Sequence, residues 1–180
     1  MSLKKISISN FRCFDNIELN FSDFNNFVYG SNGSGKTSVL EALYFCSTGR
    51  SFKSSNKDLC IQNNKNAFKI QLETIGNNKI CISKELKKSI TFEIDENKAT
   101  SIELFRAIPS TLLDNKTFSM FADTPKYRRK ILDRCLMASD KNYSKDFFSF
   151  HRSLKQRNAA LKFKRLTNID MWSEIFISSG

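Results

Sequence analysis

Eight consecutive residues, Gly30-Ser31-Asn32-Gly33-Ser34-Gly35-Lys36-Thr37, carry the most specific chemistry in this chain. Their spacing is G-x-x-x-x-G-K-[ST]. Glycines without a Cβ let the backbone wrap closely around a bulky anion. Successive N–H groups from about Gly33 to Thr37 then converge as an anion nest at the positive end of the helix that follows. In such a loop Lys36 reaches β- and γ-phosphate oxygens, and the Thr37 hydroxyl is a ligand of a magnesium ion that keeps several of its waters. The expected ligand is a nucleoside triphosphate, taken as ATP, with Mg2+, held by Gly30, Ser31, Asn32, Gly33, Ser34, Gly35, Lys36 and Thr37.

A loop of this kind works only between a strand and a helix, and the flanking pattern predicts both. Asn26, Phe27, Val28 and Tyr29 read as a strand ending at Gly30. From Gly35 to about Ser47 the apolar period becomes helical, with Val39, Leu40, Leu43 and Cys46 as the expected buried face and Gly49 as the stop. Upstream, Ile6 and Ile8, then Ile17, Leu19 and Phe21, alternate as two short strands. After a polar loop over residues 50–57, alternation returns at Phe68, Ile70 and Leu72, at Ile80 and Ile82, and at Ile90, Phe92 and Ile94. The turn Gly76-Asn77-Asn78 makes this an antiparallel meander with one wet face.

Thr100-Ser101-Ile102-Glu103 has capping-box spacing and opens a short helix ending before Pro109. Asp123-Thr124-Pro125 predicts a helix over 125–137 with proline in its first turn. A longer helix is predicted over about 144–165, with Phe147, Phe150 or Phe148, Leu154 and Leu161 as its apolar stripe. His151 reads as a surface residue of that helix and Trp172 as a packing anchor.

Other recognisable sites are missing. The base-reading NKxD box of GTPases has no match, because Asn56-Lys57-Asp58 is one residue short. A catalytic acid on a buried strand should follow a continuous apolar run. Phe92-Glu93-Ile94-Asp95-Glu96 alternates instead and reads as a half-wet hairpin strand, whereas Leu112-Leu113-Asp114 reads as better buried but lacks a following Glu. The five cysteines (Cys13, Cys46, Cys60, Cys81, Cys135) contain no CxxC pair and read as buried, reduced thiols. No apolar run has the roughly 18 to 20 residues of a membrane helix, and the first residues do not read as a secretory signal. The expectation is a cytoplasmic protein that does not engage a membrane.

Charge is concentrated late in the chain. The net charge is +11, and residues 126–165 contribute +10 of it, with thirteen Lys or Arg against Asp133, Asp140 and Asp146. A local excess of this size suits a polyanion such as nucleic acid, or else forms a solvated helix face. The later cluster, Lys155, Arg157, Lys162, Lys164 and Arg165, is the set expected to touch DNA phosphates.

Asn10-Phe11-Arg12 and the run from Gly30 to Ala42 together resemble the head of an SMC- or Rad50-like ATPase. Gly49-Arg50-Ser51-Phe52-Lys53, Pro125-Lys126-Tyr127-Arg128-Arg129-Lys130-Ile131-Leu132-Asp133 and Leu154-Lys155-Gln156-Arg157-Asn158-Ala159-Ala160-Leu161 narrow the resemblance to the RecF family of bacterial DNA replication and repair proteins. It implies an α/β P-loop NTPase of the ABC/SMC-head type, a mixed sheet with an antiparallel meander, running into a partial helical second domain. The implied division is 1–124 for the head and 125–180 for the helical part.

The resemblance also implies Arg12 near the nucleotide, binding of single-stranded and gapped DNA, and weak ATP hydrolysis. It further implies an ATP-dependent homodimer and work with RecR- and RecO-type mediators in recombinational gap repair and SOS induction.

Two departures qualify this. Asn115-Lys116 and Ala122-Asp123-Thr124 stand where the family has Pro-Glu and a Gly-rich turn. The chain is also about half the family's length, without its Ser-Gly motif or Walker B acid. It therefore reads as an N-terminal fragment that binds ATP without turning it over and that exposes apolar sheet edges. A small-molecule P-loop kinase and a remnant of a truncated gene are the other readings, and the meander counts against the kinase.

Overall fold

A computed structural model describes residues 2–113, 125–162 and 169–178. It divides into two compact units, Met1–Leu113 and Asp114–Gly180. The first unit is built on six strands: β1 (Leu3–Phe11), β2 (Phe14–Asn20), β3 (Ala67–Thr74), β4 (Lys79–Glu85), β5 (Thr91–Ile94) and β6 (Asn97–Lys98). Their order across the sheet is β2-β1-β3-β4-β5-β6, and every pairing is antiparallel. Helix α1 (Lys36–Thr48), a 3-10 turn at Lys57–Cys60 and helix α2 (Ser101–Ala107) complete the unit.

The alternation in the sequence becomes two apolar rows running across the strands. Leu19, Ile6, Leu72, Ile80 and Ile94 stand in register in one row, and Ile17, Ile8, Ile70, Ile82 and Phe92 in the next. Because successive residues point to opposite faces, this register puts every one of these side chains on the same side. Helix α1 lies on that side and packs against β1, β3, β4 and α2. Phe11, Phe45 and Phe68 meet edge to face, with centroids 5.1–6.1 Å apart, and all three are buried. Each such ring contributes about 1.5–3 kcal/mol on removal from water. Together they fix the end of β1 against the last turn of α1.

Three expectations need correction here. Residues 26–29 are not a strand: residues 21–35 hold no regular element. Phe27 and Tyr29 are 84% and 92% exposed. The side chains suit a strand, but among the described residues no strand pairs with this one, and a strand needs a ladder partner for its backbone groups. The buried face of α1 is also rotated from the expected one. Val39, Ala42, Phe45 and Cys46 are buried, together with Ser38 and Glu41, whereas Leu40 is 46% exposed and Leu43 half-buried. Finally, only Cys46 and Cys60 are buried thiols, since Cys13 and Cys135 are exposed and Cys81 is half-buried.

Other expectations hold. The Thr100 capping box forms in full, with Glu103 N donating to Thr100 Oγ1 and the Thr100 N–H donating to the Glu103 carboxylate. Asp95 closes the β5–β6 turn at φ 49° and accepts the Lys79 N–H at 2.7 Å, so it is a turn acid. The better burial expected at Leu112-Leu113-Asp114 does not hold: Leu113 is 75% exposed and in no strand, and Asp114 lies outside the described residues.

In the second unit, helices α3 (Pro125–Ser139), α4 (Lys141–Lys162) and α5 (Ile169–Ser178) follow one another. The last of these has no counterpart among the expected elements. Phe150 stacks on Phe176 of α5 at 4.7 Å, and Ser153 is fully buried. Phe147, Phe150 and Leu154 are half-buried as expected, whereas Phe148 and Leu161 are nearly half exposed. His151 is exposed, its ring 4.2 Å from that of Phe147. The expected cap at Asp123-Thr124 lies outside the described residues.

Candidate functional site

The loop over residues 30–37 runs directly into α1. Gly35 is the helix N-cap, at φ 92° and ψ 4°, and accepts hydrogen bonds from the Ser38 and Val39 N–H groups. A side chain is excluded there twice over. The backbone is left-handed, and a Cβ would lie 2.4 Å from the Phe14 ring and 2.8 Å from the Cys13 sulfur. Only glycine lets the loop press this closely against the β1–β2 turn.

Within the loop, the Ser34 N–H donates to the Ser31 carbonyl. The N–H groups of Asn32, Gly33, Gly35, Lys36 and Thr37 donate to no acceptor among the described residues. Five donors without an acceptor thus stand at the start of a helix, in residues that line a cleft, where the helix dipole adds positive potential. The Lys36 ammonium lies at the loop's centre, donating to the Gly30 and Ser31 carbonyls at 2.8 and 2.7 Å. The exposed Thr37 hydroxyl stands in the first turn of α1. The cleft has a volume of about 670 Å3. Residues 32–38 form one wall, Arg12 and Cys13 another, and Lys53, Leu59, Ile61 and Asn63 the rest.

This donor set fits a triphosphate, because amides without a partner and an ammonium lie in residues that line one cleft, and among the described residues no carboxylate lines it. It fits Mg2+ as well, in the manner of sites where one hydroxyl joins phosphate oxygens and water around the metal.

Arg12 is brought to the cleft by an unusual piece of backbone. Asn10 and Arg12 both have positive φ, 52° and 55°. Two bonds pin the turn to the segment after the 3-10 helix: Arg12 N–H to the Cys60 carbonyl and Gln62 N–H to the Asn10 carbonyl, each 2.9 Å. The guanidinium is held by Glu41. Nε donates to Oε2 at 3.0 Å and an Nη2 hydrogen to Oε1 at 2.6 Å, while Nη1 donates to the Leu59 carbonyl at 2.7 Å. That paired carboxylate holds the Arg12 pKa above its ordinary value.

Glu41 was not legible as a site residue. It lies one turn beyond Thr37 and is 0% exposed, although its sequence position on an amphipathic helix suggests a wet face. Besides Arg12 it accepts a bond from the Ser51 hydroxyl, and it lies 4.0 Å from the Lys53 ammonium and 3.9 Å from the Cys60 thiol. A buried carboxylate this well partnered is a hub. It joins the phosphate loop's helix, the β1–β2 turn and the loop after Gly49. The signal that could have found it is the pairing of an arginine at a strand end with the first acid after the loop.

The expected DNA contacts divide. Lys155 and Lys162 are exposed on α4, seven residues apart and so on one helix face. Arg157 instead donates from Nε to Ser173 Oγ at 3.2 Å and ties α4 to α5. Lys164 and Arg165 lie outside the described residues. Arg128 and Arg129 are exposed on α3.

Comparison with known proteins bears on the family and the fold. The DNA replication and repair protein RecF of Proteus mirabilis strain HI4320 is 34% identical over 169 residues, which cover 90% of this chain and 47% of that protein. A solved structure of the recombination mediator protein RecF-ATPrS in the RecFOR pathway superposes with a TM-score of 0.88 at 26% identity, over 99% of this chain and 51% of the other. A crystal structure of an Smc head bound to the C-winged helix domain of ScpA has the same fold, with a TM-score of 0.63 at 18% identity over 89% of this chain and 60% of the other. The chain spans about half the length of the RecF proteins it matches. It is their homologue and has the P-loop α/β fold of RecF and Smc heads. Residues 5–175, from β1 through the loop and its Glu41 hub to α5, match the model of the AAA domain, and the chain belongs to that family.

Proposed function

We propose that this chain binds ATP with Mg2+ as the nucleotide-holding half of a RecF-type DNA replication and repair protein. The observation that carries the reading is the set of five amides around Lys36 and Thr37 that, among the described residues, have no acceptor and share a cleft with no carboxylate. Magnesium, when bound, offsets part of the triphosphate charge. The chain's own residues do the holding: the amides from Asn32 to Thr37 line the phosphate path and Lys36 supplies a positive charge. The Thr37 hydroxyl is placed for the metal. Arg12 uses three donors on Glu41 and Leu59 and retains two for a phosphate at the rim.

The finer reading follows the RecF homology. Residues 1–124 form the head part and residues 125–180 open the helical part. Single-stranded and gapped DNA contacts Lys155 and Lys162, with Arg157, Lys164 and Arg165 in the same basic cluster. The whole protein dimerises when ATP is bound and works in the cytoplasm with RecO- and RecR-type mediators in gap repair and SOS induction.

This 180-residue polypeptide by itself holds ATP without hydrolysing it, because among the described residues no acid lines the cleft to orient a water. Calorimetric titration with Mg-ATP tests the reading. Saturable heat is expected, with affinity at least about tenfold lower after Lys36→Ala, the equivalent of 1.4 kcal/mol. No heat from a sample shown by circular dichroism to be folded would sink the proposal. Phosphate release above the Lys36→Ala background would overturn the statement on turnover.

A further inference from the structure

A second cavity, of about 450 Å3, is enclosed by residues 50–55 and Lys57. Its chemistry is one-sided. Arg50, Lys53 and Lys57 bring three cations, and Ser51, Ser54 and Ser55 bring hydroxyls. The nearby acids are already taken: Asp58 is bonded to the Lys84 ammonium, and Glu41 faces Arg12, Ser51 and Lys53. Neither Arg50 nor Lys57 belongs to an ion pair among the described residues.

The loop that carries these cations is held in place. Gly49 ends α1 in the left-handed conformation with its N–H on the Phe45 carbonyl, and a Cβ there would lie 2.7 Å from the Phe92 ring. The same ring carries the Lys57 ammonium on its face, 5.6 Å from the centroid. Phe52 packs edge to face on Tyr44 of α1 at 5.7 Å. The Ser51 hydroxyl accepts the N–H groups of Lys53 and Ser54 at 2.9 and 3.0 Å. Burial, then the charges of Arg50 and Lys84, push the Lys57 pKa below its ordinary value. Lys53 has Glu41 as its counter-charge, but Arg50 and Lys57 have none among the described residues, and such like charges cost free energy that an anion removes.

We infer that the cavity at Arg50, Lys57 and Ser55 is a binding subsite for a single phosphate group, distinct from the loop over residues 30–37. A guanidinium and an ammonium lining one cavity match a tetrahedral oxyanion, with Arg50 supplying the forked donor and Lys57 the point charge. The phosphate comes either from a nucleic-acid backbone or from a free phosphate or mononucleotide. Lys53 lines both cavities and Ser51 is bonded to Glu41, so the subsite is joined through one buried carboxylate to the helix that starts at Lys36. The inference does not rest on ATP binding at that helix.

Amide chemical shifts of the whole 180-residue chain, titrated with inorganic phosphate, read this out. Saturable shifts across residues 50–57 are expected, persisting in Lys36→Ala, with affinity falling at least about tenfold in Arg50→Gln/Lys57→Gln. Both substituted side chains face solvent or cavity, and dispersion of the spectrum reports that the variant is folded. A single-stranded oligonucleotide forms the second arm. If the double variant also lowers its affinity and reduces the salt slope by about 0.7, one backbone phosphate, the subsite belongs to nucleic acid. If phosphate shifts occur but the oligonucleotide is unaffected, the subsite belongs to a free phosphate. Shifts confined to residues 30–37, or absent from residues 50–57, would overturn the inference.

Discussion

Replacing Glu41 by glutamine keeps the shape of the hub and removes its charge. Glu41 is 0% exposed and the Arg12 side chain 21% exposed, so the arginine would keep a charge that water reaches poorly. Its two bonds to the carboxylate, at 3.0 and 2.6 Å, would become at most one bond to an amide oxygen, with the amide N–H2 set against Nε or Nη2. Breaking a buried pair by removing one partner costs about 3–5 kcal/mol. Arg12 keeps its Leu59 bond and some solvent, which argues for the lower end, about 3 kcal/mol.

For a domain of about a hundred residues that is a fall of roughly 12–24 °C in melting temperature. Arg12→Met should cost a similar amount, because it strands the carboxylate instead. The pair Glu41→Gln/Arg12→Met should lose much less than the sum of the singles, since a double-mutant cycle between touching groups exposes their coupling. Urea unfolding of the four proteins measures all three quantities. A Glu41→Gln loss below about 1 kcal/mol, or strict additivity, would refute the claim that Glu41 and Arg12 act as one buried ion pair.

Three further outcomes follow from the same geometry. Gly35→Ala should destabilise by about 2 kcal/mol or more, from left-handed strain and the collision with Phe14, and should weaken Mg-ATP binding in step; unchanged denaturant midpoint and affinity would contradict the packing at that turn. Thiol reagents should label Cys13 and Cys135 promptly, whereas Cys46 and Cys60 react only on unfolding, since burial drives both buried thiols' pKa upward; Mg-ATP should slow Cys13 alone, because it lines the cleft. The Lys84 ammonium holds the Asp58 pKa below its ordinary 3.8. The stability from that pair is therefore present above pH 3.8 and lost as pH falls through the lower folded-state value, and Asp58→Asn should flatten this acid limb of the pH–stability curve.

The phosphate loop was readable because its chemistry is local: eight adjacent residues contain both the donors and the turn that aims them. The meander was readable for a related reason, since alternation fixes which face each side chain occupies, and Ile6, Ile8, Ile70 and Ile82 fell into register as the period requires. Glu41 was hidden because its environment is assembled from positions 12, 51, 53 and 60, none of them near in sequence. Periodicity assigns a charged residue to water. It has no means of seeing that an arginine from a strand end neutralises that residue, and the resulting swap of Leu40 for Glu41 on the buried face followed from that blind spot.

Residues 26–29 show the opposite failure. Asn26, Phe27, Val28 and Tyr29 have the composition of a strand, but composition describes what a side chain would tolerate, whereas a strand exists only where a neighbour completes its backbone hydrogen bonds. The six described strands all satisfy one another in a single ladder that runs from β2 to β6 without passing through this segment. Its aromatic side chains accordingly stand in water beside the phosphate loop, on the segment that leads directly into Gly30. The consequence is physical: the amides of the loop are positioned on their downstream side by α1 and on their flank by Phe14 and Cys13. The upstream side is held by little more than the covalent chain and the two carbonyl bonds of Lys36. Removing that ammonium should therefore loosen the loop at Gly30 and Ser31 as well as weaken its hold on an anion, and faster amide exchange at those residues in Lys36→Ala, with α1 unchanged, is the form that loosening would take.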